Sequence, residues 1–194
     1  MTKSFTTFSS AIALSMALAA TAAHADATSF DGFYGGFSLG IVDSDVNQIP
    51  SGIDTALSGD VFVGYNHALN TEWVVGAEIS YGMSSGHDAS ALPPLSFDLE
   101  NALTLSGRVG YVFDNTMIYG RVGFQTADFV GNFAPVTFDA EGVVFGLGIE
   151  HMFSDNVSGR FEISHSNLDV TGLGVPPGTE LEATRFSIGV AYHF

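Results

Sequence analysis

The stretch Ala183 to Phe194 constrains this chain more than any other. Phe186, Ile188, Val190, Tyr192 and Phe194 alternate with Arg185, Ser187, Gly189, Ala191 and His193. A period of two is the signature of a β-strand, whose side chains point to opposite faces in turn. One face is large and apolar and ends in aromatics. The other is small or polar and carries a charge. In a soluble sandwich the apolar face would meet a core. In an outer-membrane barrel it would meet lipid, with the polar face lining the interior. The strand runs to a phenylalanine at the last position. Termini usually fray, so an aromatic held there is expected of a strand that closes a barrel.

The same alternation recurs along the chain. It predicts strands over 32–41, 57–67, 71–83, 101–113, 116–127, 141–153, 157–169 and 183–194. Trp73, Val75, Ala77, Ile79 and Tyr81 share one face of the third, with Gly76, Glu78 and Ser80 on the other. Phe62 interrupts the pattern of the second by standing on its polar face. The connections alternate in length. Short turns are expected at 68–70, 114–115 and 154–156, and polar, Pro- or Gly-containing loops at 42–56, 84–98, 128–140 and 170–182. Asp26 to Asp31 reads as a short lead. Eight strands with short turns on one side and long loops on the other predict an all-β, eight-stranded antiparallel up-and-down transmembrane barrel.

The N-terminus agrees. Lys3 is the single lysine, Ala11 to Ala23 is apolar, and Ala23-His24-Ala25 fits an A-x-A cleavage site. Residues 1–25 therefore read as a secretory signal peptide, leaving 26–194 as one barrel domain. The apolar run is shorter than the roughly 20 residues a spanning helix needs. The chain has no cysteine, which excludes disulfides and a lipid-modified cysteine. Five basic residues stand against 21 acidic ones, for a formal net charge of −16. That excludes nucleic acid as a partner, because phosphate binding needs clustered Lys or Arg. Only 13% of residues are charged and 46% are hydrophobic, a balance that also excludes disorder.

A secreted, soluble lipocalin-like barrel is the competing architecture. It would point its apolar residues inward around a ligand and its charges outward. Here Arg108, Arg121, Arg160 and Arg185 share a face with Gly and Ser, together with Glu78, Glu150, Glu162 and Asp60. Placed in water, such a barrel would expose a wide apolar band, which soluble proteins avoid.

Gly32-Phe33-Tyr34-Gly35-Gly36, Gly107-Arg108-Val109-Gly110-Tyr111, Tyr119-Gly120-Arg121-Val122-Gly123 and Ile188 to Phe194 resemble the outer-membrane β-barrel family related to the OmpA transmembrane domain, and in particular small alphaproteobacterial porin-like surface proteins. The resemblance spans residues 26–194 and implies residence in the outer membrane of a Gram-negative envelope as a monomer. It implies contact with membrane lipid and lipopolysaccharide, and delivery by periplasmic chaperones to the barrel assembly machinery. The family's terminal-aromatic insertion signal maps onto Phe194, preceded by Tyr192, Val190, Ile188 and Phe186. The peptidoglycan-binding domain of full-length OmpA has no counterpart in these residues. Trp73, Tyr81 and Tyr111 are expected in the aromatic girdles at the membrane interfaces.

The eight inward charges form the first candidate site: buried charges must pair, and an eight-stranded barrel is barely wide enough for its own side chains. The expected function is that of a non-enzymatic structural or surface protein whose four long loops face outward. The alternative is a small-solute porin with a narrow, charge-lined pore. Tyr34, Tyr119 and Phe62, also inward, favour the first reading, whereas inward glycines such as Gly64 and Gly148 leave room for the second. The segment Arg160 to Asn167 resembles the catalytic strand of outer-membrane lipid A deacylases. However, His165 and Ser166 are adjacent, so they face opposite ways and cannot form a base–nucleophile pair. His67, His87, His151, His165 and His193 are scattered, and the acidic loops show no calcium-loop spacing. No metal, cofactor or extracellular partner is assigned.

Overall fold

The computed structural model describes residues 26–46, 53–88, 96–131, 137–172 and 178–194; the expected signal peptide and the centres of the four long loops lie outside them. Eight strands follow one another: β1 (Gly32–Val46), β2 (Ile53–Ala68), β3 (Trp73–Asp88), β4 (Ser96–Phe113), β5 (Thr116–Gly131), β6 (Thr137–Met152), β7 (Val157–Thr171) and β8 (Glu180–His193). Each pairs antiparallel with its neighbours and β8 returns to β1, closing the barrel in sequence order. Closure leaves no unpaired sheet edge, the condition for a sheet to cross hydrocarbon.

The register is staggered. A path across the pairs from Gly32 runs through Asn66, Gly76, Arg108, Arg121, Gly146, Ser164 and Arg185, and re-enters β1 at Val42, ten residues further on. Such a stagger tilts the strands against the barrel axis, and with the strand number it determines the bore.

Outward positions carry the apolar residues, among them Phe33, Phe37, Leu105, Phe145, Leu147, Phe161 and Ile188. This wide exposed belt is the lipid-facing surface of the barrel. At its short-turn end Trp73 packs edge-on against Tyr111 with centroids 5.2 Å apart, Phe33 against Tyr65 at 4.9 Å and Tyr192 against Phe194 at 5.2 Å. Tyr81 stands midway along β3, where its hydroxyl donates to Asn101 Oδ1. Trp73 and Tyr111 lie at the short-turn rim, where Phe33, Tyr65 and Phe194 join them. Phe186, Ile188, Val190, Tyr192 and Phe194 all face outward, and the Phe194 N–H donates to the Phe33 carbonyl at 2.9 Å.

Two expectations need correction. The strands are longer than the alternation suggested: all eight continue into ranges assigned to loops, through Val46, Asp88, Gly131 and Thr171 on one side and from Ile53, Ser96, Thr137 and Glu180 on the other. Above the hydrocarbon no apolar outer face is required, so the period-two signal fades. The ladder itself needs only backbone N–H and C=O groups. In β4 the signal is also broken by a bulge. Glu100 pairs with Asp128 but Leu103 with Thr126, so the phase slips by one residue around Asn101, whose φ is 56°. An Asn tolerates that left-handed conformation better than most residues.

The second correction concerns the lead. Ala27–Phe30 winds into a single 3-10 turn, and Ala27 and Phe30 are fully buried with Val74, Val112, Met117 and Met152. The Ala27 N–H donates to the Thr71 carbonyl at 3.1 Å, Asn66 Nδ2 donates to the Phe30 carbonyl at 2.9 Å, and the Ala68 N–H donates to Asp31 Oδ1 at 2.7 Å. The segment is an apolar floor for the short-turn end of the lumen. It has too few residues to show a periodicity of its own.

The refolded protein is expected to give a sheet-rich circular dichroism spectrum in detergent and to migrate as a compact species in SDS until boiled. Phe30→Ala removes the floor's largest side chain and should lower the temperature of that gel shift, at a cost of about 3–5 kcal/mol if the site behaves as a core.

Candidate functional site

The lumen is organised in tiers above this floor. The first holds Asn66, Glu150, Ser158, Tyr34 and His193. Glu150 accepts from Arg108 Nη2 at 3.0 Å and from Ser158 Oγ at 2.7 Å, and lies 3.1 Å from His193 Nε2. His193 is sandwiched by rings: Tyr34 stacks on it with centroids 5.6 Å apart, and Phe30 meets it edge-on at 5.9 Å.

Glu78 is the hub of the next tier. Its Oε2 accepts from Arg160 Nη1 at 2.6 Å and from the Tyr34 hydroxyl at 3.0 Å. Arg108 Nη1 lies 3.9 Å away and Arg121 Nη1 3.8 Å away, so one carboxylate faces three guanidinium groups. Arg121 Nη2 pairs with Glu162 at 2.9 Å, and Glu162 also accepts from the Tyr119 hydroxyl at 2.9 Å. Aromatic faces supply the remaining contacts. Arg160 lies over the Phe62 ring, 3.4 Å from its centroid, and Arg108 sits between Tyr34 and Tyr119 at 4.6 and 5.0 Å. Phe62, the residue that interrupts the alternation of β2, is therefore the platform for a buried cation. Above this tier Arg185 pairs with Asp60, and its Nε donates to Ser58 Oγ at 2.9 Å.

Among the described residues the lumen thus balances four arginines against Glu78, Glu150, Glu162 and Asp60. Each of these eight charges has an opposite partner there. Burial makes this pairing obligatory, because an isolated ion in a low-dielectric interior costs several kcal/mol or more.

Two parts of the network share one construction. Tyr34 lies opposite Gly64, and Gly64 opposite Glu78; the tyrosine reaches over the glycine to the carboxylate. Tyr119, Gly148 and Glu162 repeat the arrangement in the other half of the barrel. A Cβ on either glycine would collide with the tyrosine ring, so glycine is what permits the reach. The room that these two inward glycines leave is taken up by a specific tyrosine in each case. Asn66, Ser158 and His193 were not anticipated as members of the network. A repeat with an 84-residue offset was the available signal: Gly64, His67, Glu78, Ile79 and Ser80 recur as Gly148, His151, Glu162, Ile163 and Ser164. In that alignment Asn66 falls on Glu150, and both accept from Arg108.

The other histidines are dispersed. His67 lies 3.6 Å from Asp31, His151 Nδ1 2.9 Å from Thr116 Oγ1, and His165 Nδ1 3.1 Å from Thr184 Oγ1 on the outer face. Ser166 faces the lumen and donates to the Ala183 carbonyl at 3.4 Å, away from His165. Among the described residues no three His, Asp or Glu side chains are grouped to hold a metal.

A model of the outer membrane protein β-barrel domain family matches residues 11–194. No curated protein matches the chain. Among solved structures it is similar to Neisserial surface protein A, with 16% identity and a TM-score of 0.61 over 84% of this chain and 98% of that one. It is also similar to Ail, the attachment invasion locus protein of Yersinia pestis, with 15% identity and a TM-score of 0.54 over 84% of this chain and 99% of that one. The chain belongs to the outer membrane protein β-barrel domain family and crosses the outer membrane with all eight strands.

Removing the hub should be costly. Glu78→Ala leaves Arg160 without its closest carboxylate and is expected to destabilise the barrel by about 3–5 kcal/mol. Replacing both partners, Glu78→Met with Arg160→Met, should recover most of the loss. Urea unfolding in detergent, followed by the fluorescence of Trp73, the single tryptophan, measures both. A double variant no more stable than Glu78→Ala would refute the pairing as the source of the cost.

Proposed function

We propose that this member of the outer-membrane barrel family is a non-enzymatic structural and surface protein, with a lumen closed at rest and recognition carried by its four outward connections. The observation that carries the reading is the double closure of the short-turn end, by the apolar floor of Ala27 and Phe30 and by the paired arginine tier directly above it. Eight strands leave little bore once such side chains fill it, and a solute could pass only if several charge pairs separated together. The placement of His165 and Ser166 on opposite faces supports the non-catalytic part of the reading. Among the described residues, the grouping of a histidine with a serine and a carboxylate, His193 with Ser158 and Glu150, lies beneath the charge tier and against Phe30, out of reach of a substrate.

Planar-bilayer conductance of the refolded protein, beside Arg121→Ala and Arg160→Ala, tests the reading. A silent wild type is expected. Reproducible single-channel steps that change with either substitution would favour the charge-lined porin instead.

The outward row Phe186, Ile188, Val190, Tyr192 and Phe194 is proposed as the segment read by the assembly machinery during insertion, with periplasmic chaperones delivering the chain and lipopolysaccharide and lipid around the mature belt. Phe194 is 80% exposed, so its deletion removes little packing. A marked fall in membrane-inserted protein for that deletion, against an unchanged yield for Asp155→Ala in an exposed turn, is the expected result. Equal yields would remove Phe194 from the signal.

A further inference from the structure

Above the arginine tier the lumen is not filled by side chains. A cavity of about 100 Å³ lies there, lined by Ser80, Ser84, Thr104, Ser164 and the side chains of Arg121 and Arg185. Two polar atoms in this lining are buried with no hydrogen-bond partner, Ser84 Oγ and Arg121 Nε. Buried polar groups in native proteins are almost always satisfied, so both point to an occupant that supplies hydrogen bonds.

The chemistry of the walls narrows the occupant. Serine and threonine hydroxyls both donate and accept, whereas Arg121 Nε only donates. The charges at the base are already balanced, Arg185 by Asp60 and Arg121 by Glu162, so an ionic guest would bury an uncompensated charge. Val144 and Leu168 form an apolar side, suited to a carbon skeleton. The space is smaller than the roughly 150 Å³ of a cavity that holds a benzene ring, so a guest of only a few non-hydrogen atoms fits. We infer that the upper lumen is a binding site for a small neutral polyhydroxylated solute of three-carbon size, which enters from the long-loop side and stops at Arg121 and Arg185. Its hydroxyls satisfy Ser84 and Arg121 in place of water.

The inference goes beyond the closed-lumen reading and does not depend on it. A conducting wild type would overturn that reading and leave the upper site to be judged by its own test.

The chain has no cysteine, so Ser84→Cys and, separately, Ser80→Cys each install a single thiol in the cavity. Asp155→Cys in an exposed turn serves as the reference. Folding of each variant is checked by resistance to unboiled SDS. The thiols are reacted in detergent with methyl methanethiosulfonate, with glycerol or sodium acetate as the competing probe. Both cavity thiols should be labelled, and glycerol at ten times its dissociation constant should slow them about tenfold while leaving Asp155→Cys unchanged. Acetate should have no effect. In an Arg121→Lys background, which keeps a positive charge near Glu162 but loses Nε, the protection by glycerol should weaken. Thiols that stay unreactive in a folded barrel, labelling insensitive to glycerol (water only), or equal protection by acetate would each overturn the inference.

Discussion

Everything inside this barrel depends on the requirement that a charge removed from water be paired. Glu78 meets it with Arg160 at 2.6 Å, with Arg108 and Arg121 close behind. The same requirement helps to specify the register. Sliding any strand by one residue would turn its charged row to the lipid and its apolar row to the lumen, because side chains alternate with a strict period of two. Burial penalties on both faces therefore act together. Lipid rejects the arginines, and the narrow bore rejects a second row of bulky apolar residues.

The pairing also separates two electrostatic populations. Four of the chain's 21 acidic residues neutralise the arginines in the lumen. The rest of the excess negative charge belongs to residues outside the balanced network, at the turns and along the long-loop ends of the strands. Acidic residues even face one another across the ladder there, Asp128 with Asp139 and Glu141 with Asp169. Like charges at directly opposed positions are mildly destabilising, and high-dielectric surroundings reduce that cost. A net charge far from zero is thus compatible with a neutral interior.

The two Tyr–Gly–Glu units show how a small bore accommodates long polar side chains. Each glycine gives up its own packing so that a tyrosine can lie across it and satisfy a carboxylate two strands away. The unit appears once in each half of the barrel; its glycine and glutamate follow the 84-residue offset, whereas Tyr34 and Tyr119 lie 85 residues apart. The halves differ at decisive points, however: Gly76 of the first corresponds to Arg160 of the second. A side chain at Gly76 would run into Asn66 and crowd Arg108, so the glycine leaves room for the pair they form.

Strand number, the direction each side chain faces, the apolar belt and the membership of the inward charge set were legible in the residues themselves, because period-two alternation is a local property that lipid and lumen impose on every spanning strand. Which charge meets which was not legible. Arg160 and Glu78 lie 82 positions apart, and their meeting depends on the stagger of all eight strands around the closed ring. The floor built by Ala27 and Phe30, the recruitment of His193 to Glu150, and the strand ends beyond the belt were likewise decided by tertiary structure. A short segment has no period to display, a buried histidine looks like any other in sequence, and above the hydrocarbon the backbone ladder continues without demanding an apolar face.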